Sequence, residues 1–498
     1  MRIAPQSAVL WLALFGLGSA AALEAPKTEA EFPSSDLGEK VRHFTTKRGY
    51  ISLTRTVLAN RAALSSGLLS GLEVSTKGGV AIKGQKSIPV IMLKYKDTGR
   101  EPYAPSQLQN ELFGSWPSGT MTDFYKEISY GAFSVRGTVY PWIQAKNNAA
   151  FYEGPIVGGK PCHGMCQGNR LGDLLTEVLD EANKTIDFSM YDNDGPDGVP
   201  NSGDDDGYVD FVAFVHPGKG GECNDPSSNS IWSHRFRLSD LTGRDYETKD
   251  LDKTGRKIRI DDYVIMPALD CSGNNMIQIG VFAHEFGHAF GLPDLYDTSN
   301  PARTQGVGNW DLMGAGSWGG DGKTPSRPAH MSTWSKDFLG WITPTAVSVD
   351  RNRVELRPVE KFPDALRVNI TPEVYYLVEY RTKTGYDDSL TGPGLNVWRI
   401  NGAGVRIGLL NNSVNADPTN PGVYLIQADG KRELDSIDKD KPQNRGDAGD
   451  PFPGLSMVTK LDNSTNPATV GKFALCNIKV GAESITMDVR VTDGICTP

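Results

Sequence analysis

The sequence predicts an α+β protein, strands alternating with helices and then a second, β-rich body. Three observations carry this. Strand-like and helix-like stretches alternate from about residue 88 to residue 290, whereas after about residue 345 only short β-rich runs between turn residues follow. A chain of 498 residues exceeds what one core ordinarily serves, so two or three domains are expected. With 38% apolar residues, nine Trp, 17 Tyr and 18 Phe, the chain can bury such cores and is not of disordered composition.

The elements follow in order. Arg2 precedes an apolar run from Ala8 to Leu17, and Ser19-Ala20-Ala21-Ala22 follows. A basic start, a short apolar stretch and small residues describe a secretory signal peptide, expected over residues 1–22. Export to the extracellular space is therefore expected. That run is too short to span a bilayer, and no later segment reaches 18 consecutive apolar residues, so no membrane span is expected. Residues 23–82 are polar, with one helical piece around 57–72, and read as a removable pro-segment. The strand signal at 88–93 opens a domain expected over 83–345. Within it, 122–128 reads as a helix, Ser129-Tyr130-Gly131 turns into a strand at 133–139, and 171–184 is an amphipathic helix. Residues 209–216 and 263–266 are apolar strands. The first can be a cleft edge that pairs with an extended ligand or an interior strand, and sequence does not separate the two. Runs at 375–380, 395–400, 423–427 and 484–491 suggest a β-sandwich-like domain over 346–498.

Lys and Arg number 51 against 60 Asp and Glu, a net charge of −9, and no basic stripe stands out, so a nucleic-acid partner is not expected. Six cysteines in an exported chain imply disulfides, with nearest-neighbour pairing (Cys162–Cys166, Cys223–Cys271, Cys476–Cys496) the simplest arrangement. Cys162-His163-Gly164-Met165-Cys166 also reads as a metal site, but no second ligand pair stands nearby to complete it.

The chemistry lies in Val281-Phe282-Ala283-His284-Glu285-Phe286-Gly287-His288-Ala289-Phe290-Gly291. Residues four apart on a helix are about 40° apart around its axis, so His284 and His288 share a face and can hold one zinc ion. Glu285 can then reach a water at that metal as general base. Gly291 sits where the helix would reverse, and Asp294 follows three residues later. Asp294 is the favoured third zinc ligand, with Asp297 and Asp311 as rivals. Asn309-Trp310-Asp311-Leu312-Met313-Gly314-Ala315-Gly316 reads either as a Met-containing turn beneath the metal or as ordinary packing. His216, His234 and Tyr296 are candidate donors to an oxyanion, each equally open to a structural role.

The run from Phe282 through Trp318 resembles the immune inhibitor A family of secreted zinc metallopeptidases, a metzincin-like group of zincins. Ser129-Tyr130-Gly131, Ile231-Trp232-Ser233-His234-Arg235, residues 334–341 and 446–454 are similar too, so the likeness covers roughly residues 85–490. The resemblance implies a metzincin-like catalytic domain, with an active-site helix on a mixed twisted sheet, between a pro-segment and a β-domain. It also implies a zinc endopeptidase acting on protein or peptide substrates, and a monomer is expected. One departure is Arg399, in Trp398-Arg399-Ile400, where the family pattern leads one to expect a His. A secreted zinc- or calcium-stabilised binding or adhesion protein without turnover is the alternative.

Asp192, Asp194, Asp197, Asp204, Asp206 and Asp210 crowd a Gly-rich stretch. Such density suits a structural Ca²⁺, or else is a solvated acidic loop. It is not an EF-hand, because Pro196 replaces a ligand and the flanking helices are missing. No cysteine precedes Cys162, so any latency must come from a carboxylate in the acidic region 29–39 or from occlusion.

Overall fold

The computed structural model describes residues 81–496 apart from 157–160, 167, 194–198, 203–204, 224–227, 300–301, 410–411 and 438–443. The expected signal peptide, all but the end of the expected pro-segment with its acidic region and helix, and Asp194, Asp197 and Asp204 lie outside the described residues.

The first half is organised by strands β1 (Gly84–Lys94), β2 (Phe133–Gln144), β3 (Val212–Lys219), β4 (His234–Arg237), β5 (Tyr246–Leu251), β6 (Lys257–Ile260) and β7 (Asp262–Leu269). β5 and β6 form a separate antiparallel pair, and the other five make one sheet in the order β2-β1-β3-β7-β4. All neighbours in it are parallel except β4, which runs antiparallel along β7. Successive side chains on a strand point to opposite faces, and on β1 Ile88, Val90 and Met92 enter one core while Ile91 and Leu93 enter another. Two apolar faces are what a parallel sheet covered on both sides requires. β3 lies between β1 and β7, so the stretch expected at 209–216 is interior and not a cleft edge. Pairing there also begins later than expected: Val209 and Phe211 are buried but precede the ladder. Apolar sequence reports burial, and burial outruns the hydrogen-bonded strand.

Helices α1 (Pro105–Phe113), α2 (Met121–Ile128), α3 (Leu171–Ala182), α4 (Ile279–Ala289) and α5 (Thr333–Phe338) cover this sheet and its surroundings. α2 starts where Thr120 accepts from the Asp123 N–H and Asp123 accepts from the Thr120 N–H, a reciprocal cap. α3 turns Leu171, Leu174, Leu175, Val178 and Leu179 toward the core that holds Ile91 and Leu93. α4 is apolar nearly all round and buried on nearly every side, with Phe282, Ala283 and Phe286 in the opposite core. The hydroxyl of Tyr125 donates to its Ala283 carbonyl at 2.6 Å.

The second half contains β8 (Thr345–Ala346), β9 (Arg351–Leu356), β10 (Ala365–Asn369), β11 (Val374–Arg381), β12 (Gly394–Asn401), β13 (Val423–Leu425), β14 (Ala474–Val480) and β15 (Ile485–Arg490). They form one sheet ordered β13-β12-β11-β10-β8 and another ordered β14-β15-β9. Tyr376, Val378 and Val397 from the first share a core with Leu475, Ile485 and Met487 from the second. The opposite face of the larger sheet, through Tyr375, Leu377, Trp398 and Ile400, belongs to the core that encloses α4. The structure pairs the cysteines as nearest neighbours: Cys162–Cys166, Cys223–Cys271 and Cys476–Cys496. Cys162 and Cys166 are thereby removed as metal ligands.

A buried ionic cluster closes the seam between the halves. Arg381, fully buried, meets Asp387 through Nε at 2.7 Å, Glu379 at 3.4 Å and Glu360 at 3.6 Å, and donates to the Trp310 carbonyl at 3.1 Å. Glu379 accepts from Thr333 of α5 through both N–H and hydroxyl, and from Trp398 Nε1. Removing one partner of such a cluster strands the remaining charges in the core, which costs about 3–5 kcal/mol. Arg381→Met is expected to lower the unfolding free energy by that amount, seen as a lower denaturant midpoint at unchanged slope in a single transition. Fluorescence of the Trp-rich seam and far-ultraviolet circular dichroism would check it by falling together, while two separated transitions would mean that the halves fold independently.

Candidate metal centre

α4 ends in a reversal. Gly291 takes a φ of +105°, its N–H donates to the His288 carbonyl at 2.9 Å, and the Leu292 N–H donates to the Gly287 carbonyl at 3.0 Å. The chain thus folds back and carries Asp294 to the histidine face of the helix.

His284 and His288 lie with ring centroids 4.7 Å apart. Nδ1 of His284 donates to the Leu312 carbonyl at 2.9 Å and Nδ1 of His288 to the Leu292 carbonyl at 2.8 Å. Each ring therefore turns Nε2 inward, and both Nε2 atoms lie 3.1 Å from Asp294 Oδ1. With hydrogen on Nδ1, a neutral ring carries its lone pair on Nε2. Two lone pairs facing one carboxylate oxygen in a buried site repel unless a cation, or added protons, lie among them. Burial pushes the Asp294 carboxyl up, but the two histidines outweigh it and hold the group well below the usual carboxylate range. Two imidazole nitrogens and one carboxylate oxygen are a donor set that suits zinc.

The turn at 309–316 lies against the helix. A Cβ on Gly287 would meet Met313 Sδ at 2.5 Å, which accounts for a glycine in mid-helix. Asp311 is not placed as a ligand: its carboxylate accepts from the Met313 N–H at 2.7 Å, the Ser332 N–H at 2.7 Å and the Ser335 hydroxyl at 2.8 Å. Asp297 organises its own loop, accepting from Ser299 and Arg303 N–H groups. Asp294 is the rival that meets the histidines.

A small cavity opens at this point, lined among others by Glu222, Trp232, His284, Glu285, Asp294, Tyr296 and Asn412. Glu285 shares it with the three converging groups. Tyr296 stacks on His284 with an interplanar angle of 15°. His234 also lines the cavity, but both ring nitrogens are engaged: Nδ1 donates to the Trp232 carbonyl at 2.7 Å, and Nε2 accepts from the Tyr263 hydroxyl at 2.9 Å. It is a structural residue, not an oxyanion donor. His216 is buried on central strand β3 and is not among the residues lining the cavity. Arg399 of β12 stands over the Tyr424 ring.

Two cavity residues escaped the sequence reading. Glu222, beside Cys223, accepts from the hydroxyl and N–H of Ser233, and burial pushes its carboxyl up. Asn412 bonds Asp294 through both ends of its amide, and nothing local marks it.

Of the acidic stretch, Asp192 accepts from the Gly207 N–H, Asp206 from the Tyr208 N–H, and Asp210 pairs with Lys86 at 3.1 Å. Among the described residues no three of these converge as metal ligands do. The other convergent acidic set among the described residues is Asp429, Glu433 and Asp450, where Lys431 lies 2.7 Å from Asp429.

Histidines four apart on a buried helix, a carboxylate between them and a second carboxylate beyond a glycine reversal are the arrangement of the metallopeptidase class. The family is narrower. Residues 92–342 match the family model described as Immune inhibitor A peptidase M6, catalytic domain, half of the chain, and the chain belongs to that family. It is 31% identical over 284 residues to Pre-pro-metalloprotease PrtV of Vibrio cholerae serotype O1, covering 51% of this chain and 28% of that protein. It is 30% identical over 225 residues to Immune inhibitor A of Bacillus thuringiensis subsp. alesti, covering 44% of this chain and 31% of that protein. The matched stretches thus span less than a third of either relative.

His234 offers a pH test of the wall beside the centre. Burial lowers its pKa from 6.5 to about 4, so the folded state keeps it neutral where the unfolded chain binds a proton. The stability this gives is complete above pH 6.5 and is lost as pH falls toward about 4, at about 1.4 kcal/mol per pH unit. Urea midpoints of wild type should therefore fall more steeply over that window than those of His234→Gln. Parallel slopes would place His234 in contact with solvent.

Proposed function

We propose that this chain is a zinc-dependent endopeptidase, secreted and made as a precursor, that hydrolyses peptide bonds of protein substrates. The observation that carries the reading is the convergence of His284 Nε2, His288 Nε2 and Asp294 Oδ1, with Glu285 in the same cavity. When bound, zinc supplies Lewis acidity toward a water and a substrate carbonyl. Glu285 accepts the proton of the attacking water and returns it to the leaving amine. Tyr296, stacked beside His284, is the remaining candidate to donate a hydrogen bond to the oxyanion.

The reading divides the chain into a signal peptide (1–22), a pro-segment (23–82), a metzincin-like catalytic domain (83–345) and a β-rich, sandwich-like domain (346–498). The name of the Vibrio relative, a pre-pro-metalloprotease, supports the precursor part. Among the described residues no helix is long and apolar enough to cross a membrane. A structural Ca²⁺ held by the stretch of Asp192, Asp194, Asp197, Asp204, Asp206 and Asp210 belongs to the same proposal, and it depends on Asp194, Asp197 and Asp204, which lie outside the described residues. The alternative of a zinc- or calcium-stabilised binding protein is weakened by Glu285, since holding zinc needs the histidines and not that carboxylate.

The test compares wild type with Glu285→Ala on a denatured protein substrate, with and without a zinc chelator. Wild type should cleave, lose activity on chelation and regain it with zinc, while the variant falls by about 10²-fold or more with zinc still bound. Stoichiometric zinc without cleavage by wild type would leave the binding protein. If zinc restores activity only when Ca²⁺ is supplied as well, the calcium assignment stands.

A further inference from the structure

We infer that Asn412 is the positioning residue of the metal centre, so that the centre is assembled from both halves of the chain. This rests on the reading of Asp294 as a zinc ligand. Asn412 meets Asp294 at two points. Its Oδ1 accepts from the Asp294 N–H at 2.7 Å, and its Nδ2 donates to Asp294 Oδ2. The amide thus fixes the backbone and the side chain of one residue together. With Oδ2 taken, Oδ1 is the oxygen left facing the two histidines, and it is the oxygen 3.1 Å from each Nε2.

Few side chains can do this. Asparagine offers an acceptor and a donor at adjacent atoms, whereas aspartate would set a second carboxylate against Asp294 Oδ2. Asn412 is 2% exposed and has a φ of +55°, the left-handed region that Asn enters more readily than most non-glycine residues.

The segment carrying Asn412 is itself anchored on both sides. Asn415 Nδ2 donates to the Leu295 carbonyl, next to Asp294, while Asn415 Oδ1 accepts from the N–H of Val423 at the start of β13. Arg303 donates to the Ala416 carbonyl at 2.6 Å. Residues 412–416 are therefore a strap between the ligand loop and the larger sheet of the second half. Asn412 lies outside the matched residues 92–342, so the catalytic stretch alone lacks the group that orients its third ligand.

The experiment measures zinc affinity rather than turnover. Wild type, Asn412→Ala and Asn412→Asp, each as the whole chain, are stripped of metal and titrated with zinc against a chromophoric chelator. Thermal melts of the metal-free proteins run alongside. Groups that orient metal ligands typically contribute 10–100-fold in affinity. Both variants should weaken zinc binding by that factor while their metal-free melts keep one cooperative transition. Zinc affinity within twofold of wild type in a folded variant would overturn the positioning role. If Asn412→Ala does not fold, the isosteric Asn412→Asp carries the test. A wild type that binds no zinc, or binds it equally after His284→Ala, would overturn the metal-centre reading itself, so the two failures are distinguishable.

Discussion

Each imidazole of the candidate centre is aimed by one hydrogen bond from Nδ1 to a main-chain carbonyl, at Leu312 and at Leu292. These bonds decide which nitrogen faces inward, and so decide whether the helix presents two metal ligands or two packed rings. The Leu292 carbonyl comes with the helix terminus, because the glycine reversal brings it back. The Leu312 carbonyl has a longer ancestry. Asp311 holds that turn, Ser332 and Ser335 hold Asp311, and Glu379 on β11 holds Thr333 of the same short helix. A continuous series of polar contacts runs from the second-half sheet to the His284 ring.

That series is expensive to bury and correspondingly well neutralised. Arg381 stands among Glu360, Glu379 and Asp387, and Lys336 donates to the Tyr130 hydroxyl and approaches His330. Burial lowers the Lys336 ammonium to about 8, partly opposed by the neighbouring carboxylates. Stretches that resemble the family but carry no evident chemistry find their place here. Tyr130 takes a φ of +57° and donates to the Val359 carbonyl, and Asp450 accepts from the Trp310 indole at the back of the turn. They align the two halves on each other.

What the sequence made legible was local. Histidines at i and i+4, a carboxylate between them, a glycine reversal and an acid three residues on are set by helix geometry, and the structure brings His284, His288 and Asp294 together as that geometry implies. The parallel strands were legible as apolar runs, but not their order, since an interior strand and a cleft edge share one composition. His234 looked like a donor because nothing local shows that Tyr263 occupies its Nε2. Asn412 was invisible for the same reason, its partner lying 118 residues away. The break in character near residue 345 suggested a β-sandwich-like domain, but not that one face of its larger sheet packs in the core around α4. Alternation along β11 and β12 reads identically whether the second face meets solvent or a neighbour.

A sheet with a core on each face has no surface from which it can be lifted away. Modules can be grafted at surface loops of such a chain, and lineages can drift apart in length by accretion. The sheet of β8 and β10–β13 cannot be exchanged as a cassette, because whatever replaced it would have to reproduce two packed faces and the buried charges between them. Recombination should therefore respect the span from β1 to β13 as one heritable block, even though a family signature ends partway through it.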